Sequence, residues 1–297
     1  MLDLEQTKKI LNEYNIMPRQ SLGQNFLVSK DIINKTVEVS NVAEQHTVLE
    51  IGPGLGALTS ALLETGAKVI AYEIDRKMIQ VLEDRFSKHK NLFLDQQDIL
   101  KVNLASQFTG TKNLKIIANL PYYISAEIIE KLICELPFAQ SMTLMLQKEA
   151  IERITLKPND SRYGPTAILI ALYGKIKDKI RVPANCFFPR PKINSQVILI
   201  EQDENSLLTE KRNNDQTLDL VSFNQFLHLC FAQRRKTLRN NLKNNLKIGL
   251  KTEELVQLVA PLNLDLNLRP EQISPKKFWQ LYQSMANYIS KVDGGSE

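Results

Sequence analysis

Asn119-Leu120-Pro121-Tyr122 is the stretch whose residue types and spacing point most directly to chemistry. The proline removes a backbone donor and stiffens the turn. The Asn119 side-chain carbonyl and the Leu120 backbone carbonyl can then converge on one spot as acceptors, and Tyr122 offers a flat face for a base. An adenine amine needs this arrangement, because its lone pair is delocalised into the ring and it is a poor nucleophile. Two acceptors on the N6 hydrogens favour a pyramidal nitrogen in line with a sulfonium methyl. No strong general base is required, since the nitrogen becomes acidic once it carries the new methyl. The bland alternative is an ordinary asparagine–proline turn after a strand; the register with the next motif argues against it.

That motif is residues 47–58, TVLEIGPGLGAL. Val48, Leu49 and Ile51 read as a buried parallel strand. The strand runs into Gly52, Gly54 and Gly56 and then into a helix-compatible stretch, the first half of a βαβ nucleotide-binding unit. Gly52 and Gly54 let backbone approach a ligand where a side chain would intervene. Dinucleotide folds use G-x-G-x-x-G to seat a pyrophosphate on a helix N-terminus. The E-I-G-P-G-L-G form instead suits a cofactor without phosphates, such as S-adenosylmethionine, unless the turn is a plain connector. Glu73 lies 21 positions beyond Gly52, at a strand end where a carboxylate accepts both ribose hydroxyls. NAD folds use the same device, so Glu73 marks a ribose without identifying the cofactor. Asp98, one strand further on, is placed either to take an adenine amine or to cap a short turn.

The elements that must hold these residues follow from periodicity. Strands are expected at 68–74, 91–95, 114–118, 141–146 and 195–200, with helices at 3–14, 31–43, 76–88 and 125–136. The fold class is α/β, a Rossmann-like sheet. The segment Ser21-Leu22-Gly23-Gln24-Asn25-Phe26-Leu27 is a connector or a lid over the cofactor. Phe187 opens the proline-stiffened loop FFPRPK; it either stacks on an extruded base or fills the core. Residues 166–173 form an apolar segment. After Glu201 the chain turns polar, which places a linker there and domains at 1–202 and 203–297. In the second, small and all-α, Phe223, Phe226, Leu227, Cys230, Phe231, Leu238 and Leu242 recur at helical spacing. Arg234, Arg235, Lys236, Arg239 and Lys243 sit between them. A basic helix of this kind is a solvated face or an RNA phosphate contact, and the base-modifying motif favours RNA.

Composition excludes several classes. The 297 residues are 43% hydrophobic and 24% charged, with a formal charge of +5, which fits an ordinary globular chain of two domains. Three cysteines lie far apart with no C-x-x-C, pointing to a reducing, cytoplasmic setting and no zinc site. The N-terminus lacks the apolar core of a signal peptide. No run of about 18 apolar residues is present to span a membrane.

Together these segments resemble the ribosomal RNA adenine N6-dimethyltransferases of the bacterial small-subunit type. The resemblance is carried by GQNFL at 23–27, EIGPGLGALT at 50–59, YEID at 72–75 and QDIL at 97–100. NLPYYIS at 119–125, FFPRPKINS at 187–195 and FAQRRKTLRNNL at 231–242 complete it. It implies cofactor contacts at Asn25, Leu27, Gly52, Glu73, Asp98 and Asn119, and stacking of the target adenine on Tyr122 and Phe187. It also implies dimethylation of two adjacent adenosines in the 3′-terminal hairpin loop of 16S small-subunit rRNA. S-adenosylmethionine is the implied donor and the precursor of the small ribosomal subunit the implied partner, with the chain acting as a cytoplasmic monomer. Asn194 departs from the aspartate usual in that loop, and the linker looks longer than usual. Two alternatives share parts of the pattern. One is the antibiotic-resistance methylases of large-subunit rRNA, though the RRKTLRNNL stretch and the FxPxPK loop look more like the small-subunit group. The other is a non-catalytic RNA-binding assembly or transcription factor, against which the intact glycine loop, Glu73, Asp98 and NLPY argue.

Overall fold

Apolar runs of four to six residues alternating with amphipathic segments give alternating strand and helix in the computed structural model. It describes residues 2–19, 22–203, 206, 208, 219–245 and 252–293. Ser21 and most of the polar linker after Glu201 lie outside the described residues. The chain divides into two compact units, Met1–Ile151 with Gly174–Asp203, and Glu152–Tyr173 with Glu204–Glu297.

The first unit begins with α1 (Leu4–Glu13), β1 (Phe26–Leu27), α2 (Lys30–Ser40), β2 (Thr47–Ile51), α3 (Ala57–Glu64), β3 (Lys68–Tyr72) and α4 (Arg76–Phe86). It continues through β4 (Leu92–Asp95), α5 (Leu104–Gln107), β5 (Leu114–Asn119), α6 (Ser125–Glu135) and β6 (Ser141–Gln147). After α7 (Lys148–Ile154) and α8 (Pro165–Tyr173) come β7 (Gly174–Val182), β8 (Phe187–Phe188) and β9 (Ser195–Gln202). The helices start where short polar side chains cap them: Asp3 for α1, Ser29 for α2 and Asp75 for α4, each accepting an otherwise unpaired N–H of the first turn.

Seven strands form one sheet in the order β4-β3-β2-β5-β6-β9-β7. The first five are parallel; β9 runs antiparallel between β6 and β7. Strand order reverses at β2 and β5, so a crevice opens beyond their carboxyl ends. β1 and β8 pair separately, Phe26 opposite Phe188 and Leu27 opposite Phe187. Central strands are buried on both faces, with Val48, Leu49, Ile116 and Ile117 at 0% exposure. β5 carries one cation inward. The Lys115 ammonium donates to the Ser40 and Asn41 carbonyls at 2.8 and 2.9 Å, satisfying the C-terminus of α2 where the helix dipole favours positive charge.

β7, GKIKDKIRV, carries a weak strand pattern, because charged side chains fill its outward positions and its inward ones hold only Gly174, Ile176, Ile180 and Val182. As an edge strand it carries charge on its open side, and Lys175 and Lys177 pair with Asp203 and Glu201. The apolar stretch at 166–173 is the helix α8, which belongs to the second unit.

The second unit is helical, with Leu220–Cys230, Leu238–Asn245, Thr252–Val259 and Pro275–Asp293 joining α8. Its core is aromatic: the Phe223 and Trp279 rings meet edge to face at 4.9 Å, and Phe231 lies 5.5 Å from Phe278. Among the described residues no helix is long and apolar enough to cross a membrane.

The glycine turn is fixed by close packing at Gly56, the residue before α3. Its φ is +80°, and an added Cβ would lie 2.5 Å from Phe86 Cε2 and 2.8 Å from Leu82 Cδ2, both on the buried face of α4. Gly56→Ala is therefore expected to destabilise the chain by about 2–4 kcal/mol, combining the left-handed penalty with overpacking. Gly110, at φ +74° with nothing near its Cβ position, should lose only about 1–2 kcal/mol on the same substitution. Urea denaturation compares the two; equal losses would mean that α4 yields and packing does not fix the turn.

Candidate active site

The carboxyl ends of β2, β3 and β5 and the turns that leave them line one cavity. Asn25, Leu27, Gly52, Gly54, Glu73, Asp98 and Asn119, expected from sequence to face a cofactor, all line it, as do Leu120, Pro121 and Tyr122. The glycine turn forms because Gly52 and Gly54 adopt positive φ, at 65° and 57°, and because the Gly52 amide closes onto the Tyr72 carbonyl at 2.9 Å.

Glu73 organises the acidic side. It is 7% exposed and accepts the Gly54 amide on Oε2 at 3.1 Å and the Asp75 amide on Oε1 at 2.9 Å. Burial pushes its carboxyl up, and the two amides oppose that shift. Each oxygen keeps a lone pair for a further donor, which is what a ribose diol requires. Asp75 in turn caps α4 through Lys77 N on Oδ1 and accepts Gln24 Nε2 on Oδ2 at 2.9 Å. Asp98 is half-buried and takes the Leu100 amide on Oδ1 at 3.0 Å, so it caps its turn while lining the cavity.

Residues 22–27 strap the cavity. Gln24 ties the segment to Asp75, Phe26 lies against Gly54, and Gly23 packs on Pro121. Asn119 Nδ2 donates to the Asn25 carbonyl at 3.5 Å, which turns its Oδ1 away from that carbonyl. Among the described residues neither Asn119 Oδ1 nor the Leu120 carbonyl accepts a hydrogen bond. Two acceptors thus remain unpartnered in the turn after β5, on the cavity that Glu73 also lines. Tyr122 is held at both ends: Ser125 Oγ donates to its carbonyl at 3.2 Å, and its hydroxyl lies 3.3 Å from Ser195 Oγ. Ser195 is fully buried at the start of β9. The role of Ser195 could have been suspected from its place in FFPRPKINS, but a bare serine carries no signal of its partner.

Three expectations change. Phe187 is 3% exposed in the apolar core with Phe26, Val182 and Val197; its pairing with Leu27 in β1–β8 turns the ring inward and off the cavity lining. In the second unit, residues 231–236 form the turn between Leu220–Cys230 and Leu238–Asn245, so Arg234, Arg235 and Lys236 are on a loop and not on a basic helix. Arg234 also holds the protein itself, donating from Nη1 to the Ser161 and Tyr163 carbonyls at 2.8 and 3.2 Å. Asn241 clamps this turn by bonding both ways to Gln233, leaving Arg235 and Lys236 outward and exposed. Arg239 is half-buried. The first amides of its helix are taken by the Leu268 and Leu266 carbonyls, so that helix start is not an open anion site. At the departure from the resemblance, Asn194 Oδ1 accepts the Ala184 amide at 3.1 Å, a bond an aspartate would make equally well.

A sheet with an antiparallel strand slipped between its last two members, and a glycine-lined cavity at its switch point, places this chain among the α/β methyltransferases. The sequence narrows the class: the family model described as ribosomal RNA adenine dimethylase matches residues 16–286, and the chain belongs to that family. A protein of Shouchella clausii named ribosomal RNA small subunit methyltransferase A is 36% identical over 292 residues, covering 97% of this chain and 96% of that one. A protein of the same name from Lactobacillus johnsonii is 38% identical, covering 93% of each. A dimethyladenosine transferase structure from Plasmodium falciparum superposes with TM-score 0.68 at 25% identity, over 88% of this chain and 98% of that one. The structure of the 23S rRNA methyltransferase ErmE, at 20% identity and TM-score 0.58, covers 88% of this chain and all of that one and shares the fold.

Glu50, in β2 just before the glycine turn, lines the same cavity. Burial, with the Glu73 carboxylate adding to it and Thr59 opposing, raises its carboxyl from 4.5 to about 8. The folded chain thus keeps a proton that the unfolded chain releases. Stability is lost as pH rises from about 4.5 to 8 and levels off above that window. Glu50→Gln, which fixes the neutral form, should match wild type near pH 4.5 and exceed it increasingly towards pH 8. Parallel stability–pH curves for the two proteins in urea would show that the carboxyl is not desolvated.

Proposed function

We propose that this chain dimethylates N6 of two adjacent adenosines in the 3′-terminal hairpin loop of small-subunit rRNA, in the cytoplasm and as a monomer, on precursors of the small ribosomal subunit. The observation that carries this reading is the pair of unpartnered acceptors, Asn119 Oδ1 and the Leu120 carbonyl, on the cavity that Glu73 lines. The small-subunit assignment rests on the relatives at 36% and 38% identity; the likeness to ErmE is one of fold.

The residues present fit S-adenosylmethionine. A buried carboxylate with both oxygens preset by amides suits ribose hydroxyls, the Asp98 carboxylate on the cavity suits an adenine amine, and glycines at 52 and 54 suit a close backbone approach to the ligand. When bound, this cofactor supplies an electrophilic methyl group. The chain's own residues then do the rest. In the first transfer Asn119 and Leu120 accept hydrogen bonds from the two N6 hydrogens of the target adenine, in the second from the one that remains, and so draw the lone pair out of ring conjugation. Tyr122, fixed through Ser195 and Ser125, gives the base a face of set orientation. The nitrogen sheds one proton for each methyl it gains, and water can take it because the alkylated nitrogen is acidic.

The Asn119 carbonyl is matched to charge that develops on nitrogen, so its interaction strengthens in the transition state. Asn119→Ala should slow methylation by roughly 10²–10³-fold in single-turnover kinetics at saturating enzyme and cofactor. Affinity for unmethylated small subunits should change little. A variant that transfers methyl at the wild-type single-turnover rate would sink the mechanism.

For RNA contact, the exposed Arg235 and Lys236 are the residues to test. Glutamine at either should weaken subunit binding and flatten its log–log salt dependence by about 0.7–0.9 for each phosphate no longer neutralised. Arg234→Gln should instead lower the melting temperature, since its guanidinium holds two carbonyls of the 161–163 loop. An unchanged salt slope for Arg235→Gln and Lys236→Gln together would remove this turn from the RNA interface.

A further inference from the structure

The turn after β5 presents two consecutive tyrosines in opposite circumstances. Tyr122 is half-buried and bonded at its carbonyl and at its hydroxyl. Tyr123 is 60% exposed, lines the same cavity, and makes no side-chain hydrogen bond among the described residues. Among the described residues two aromatic rings are exposed large apolar side chains, Tyr123 and Phe93. Phe93 has a partner, the Lys68 ammonium 4.9 Å from its ring centre. Tyr123 has none among the described residues, and it lines the cavity that Asn119 and Tyr122 also line.

Its position is set firmly. Pro121 precedes the pair, the Ile124 amide closes onto the Pro121 carbonyl at 3.4 Å, and Ser125 begins α6 while holding Tyr122. The backbone that aims Asn119 at its target therefore also fixes where the Tyr123 ring can reach. A base drawn out of its strand leaves its neighbour without a stacking partner, and an aromatic face is the sequence-tolerant substitute for the lost stack.

We propose that Tyr123 is a second base-stacking site, which takes the unpaired base directly flanking the adenosine held at Asn119 and Tyr122. The inference rests on the function proposed above and adds to it the subsite for the neighbouring nucleotide. With two adjacent target adenosines, that neighbour is the other target, so Tyr123 holds one while its partner is in the site. Stacking recognises the π face and carries no charge, so its signature differs from that of a phosphate contact.

The test measures binding of unmethylated small subunits by wild type and by Tyr123→Ala, Tyr123→Leu and Tyr123→Phe across a salt series, with S-adenosylmethionine affinity followed by calorimetry. Tyr123→Ala and Tyr123→Leu should each weaken subunit binding by about 5- to 100-fold, and Tyr123→Phe should stay near wild type. The log–log salt lines should run parallel to wild type, and cofactor affinity should not move. Wild-type binding by the alanine variant, rescue by leucine, or a change in salt slope each overturns the stacking site. Failure of the wild type to methylate the subunits overturns the proposed function, and this inference with it; methylation by wild type with intact binding by Tyr123→Ala overturns this inference alone.

Discussion

A carboxylate taken out of water must find hydrogen-bond donors within the fold, and at Glu73 that requirement arranges much of the site. Removing an unpaired charge from water costs several kcal/mol, and the donors that compensate are backbone amides from two different turns, Gly54 after β2 and Asp75 after β3. Satisfying one side chain therefore locks the glycine turn to the start of α4. Asp75 passes the constraint on, capping α4 and receiving Gln24 from the strap of residues 22–27. The buried carboxylate, the glycine turn and the cover over the cavity are thus one hydrogen-bonded assembly. An acceptor of this kind does not have to reorganise when a ligand arrives, which is the physical content of preorganisation.

The other half of the cavity is built on β5 and follows a different logic. There the useful groups are those left unpaired: Asn119 Oδ1 and the Leu120 carbonyl. Among the described residues they stay unpaired, because the proline stiffens the turn and the Asn119 amide nitrogen is engaged with Asn25. The two halves meet at the strap, since Gly23 packs on Pro121 while Gln24 reaches Asp75. Groups on both halves are so positioned by short connections to rigid strands, which position groups more tightly than long loops do.

The second unit distributes its cations by task. Arg234 is bound to two backbone carbonyls and serves the fold, whereas Arg235 and Lys236 are exposed on a turn that Asn241 clamps. Charge count alone would treat the three alike. Guanidinium donors committed to carbonyls order a loop, and free cations on a rigid turn are the ones suited to a polyanion.

Sequence by itself determined the parts whose signals are local. The strand–glycine turn–helix of residues 47–64, the acid closing the next strand and NLPY after β5 are each legible within about a dozen residues, because strand period, turn chemistry and capping act at that range. Their order along the chain also determines the doubly wound topology, and hence that they meet at the carboxyl edge. Tertiary structure decided what depends on partners distant in sequence. Phe187 is buried because it pairs with Leu27, and Ser195 matters because its hydroxyl meets Tyr122. Arg234 is occupied by carbonyls some seventy residues upstream, and β7 is a strand because β9 offers it an edge. α8 packs in the second unit although β7 and β9 follow it in sequence. None of these leaves a periodic trace, since each is settled by which surfaces the fold brings together and not by the residues on either side.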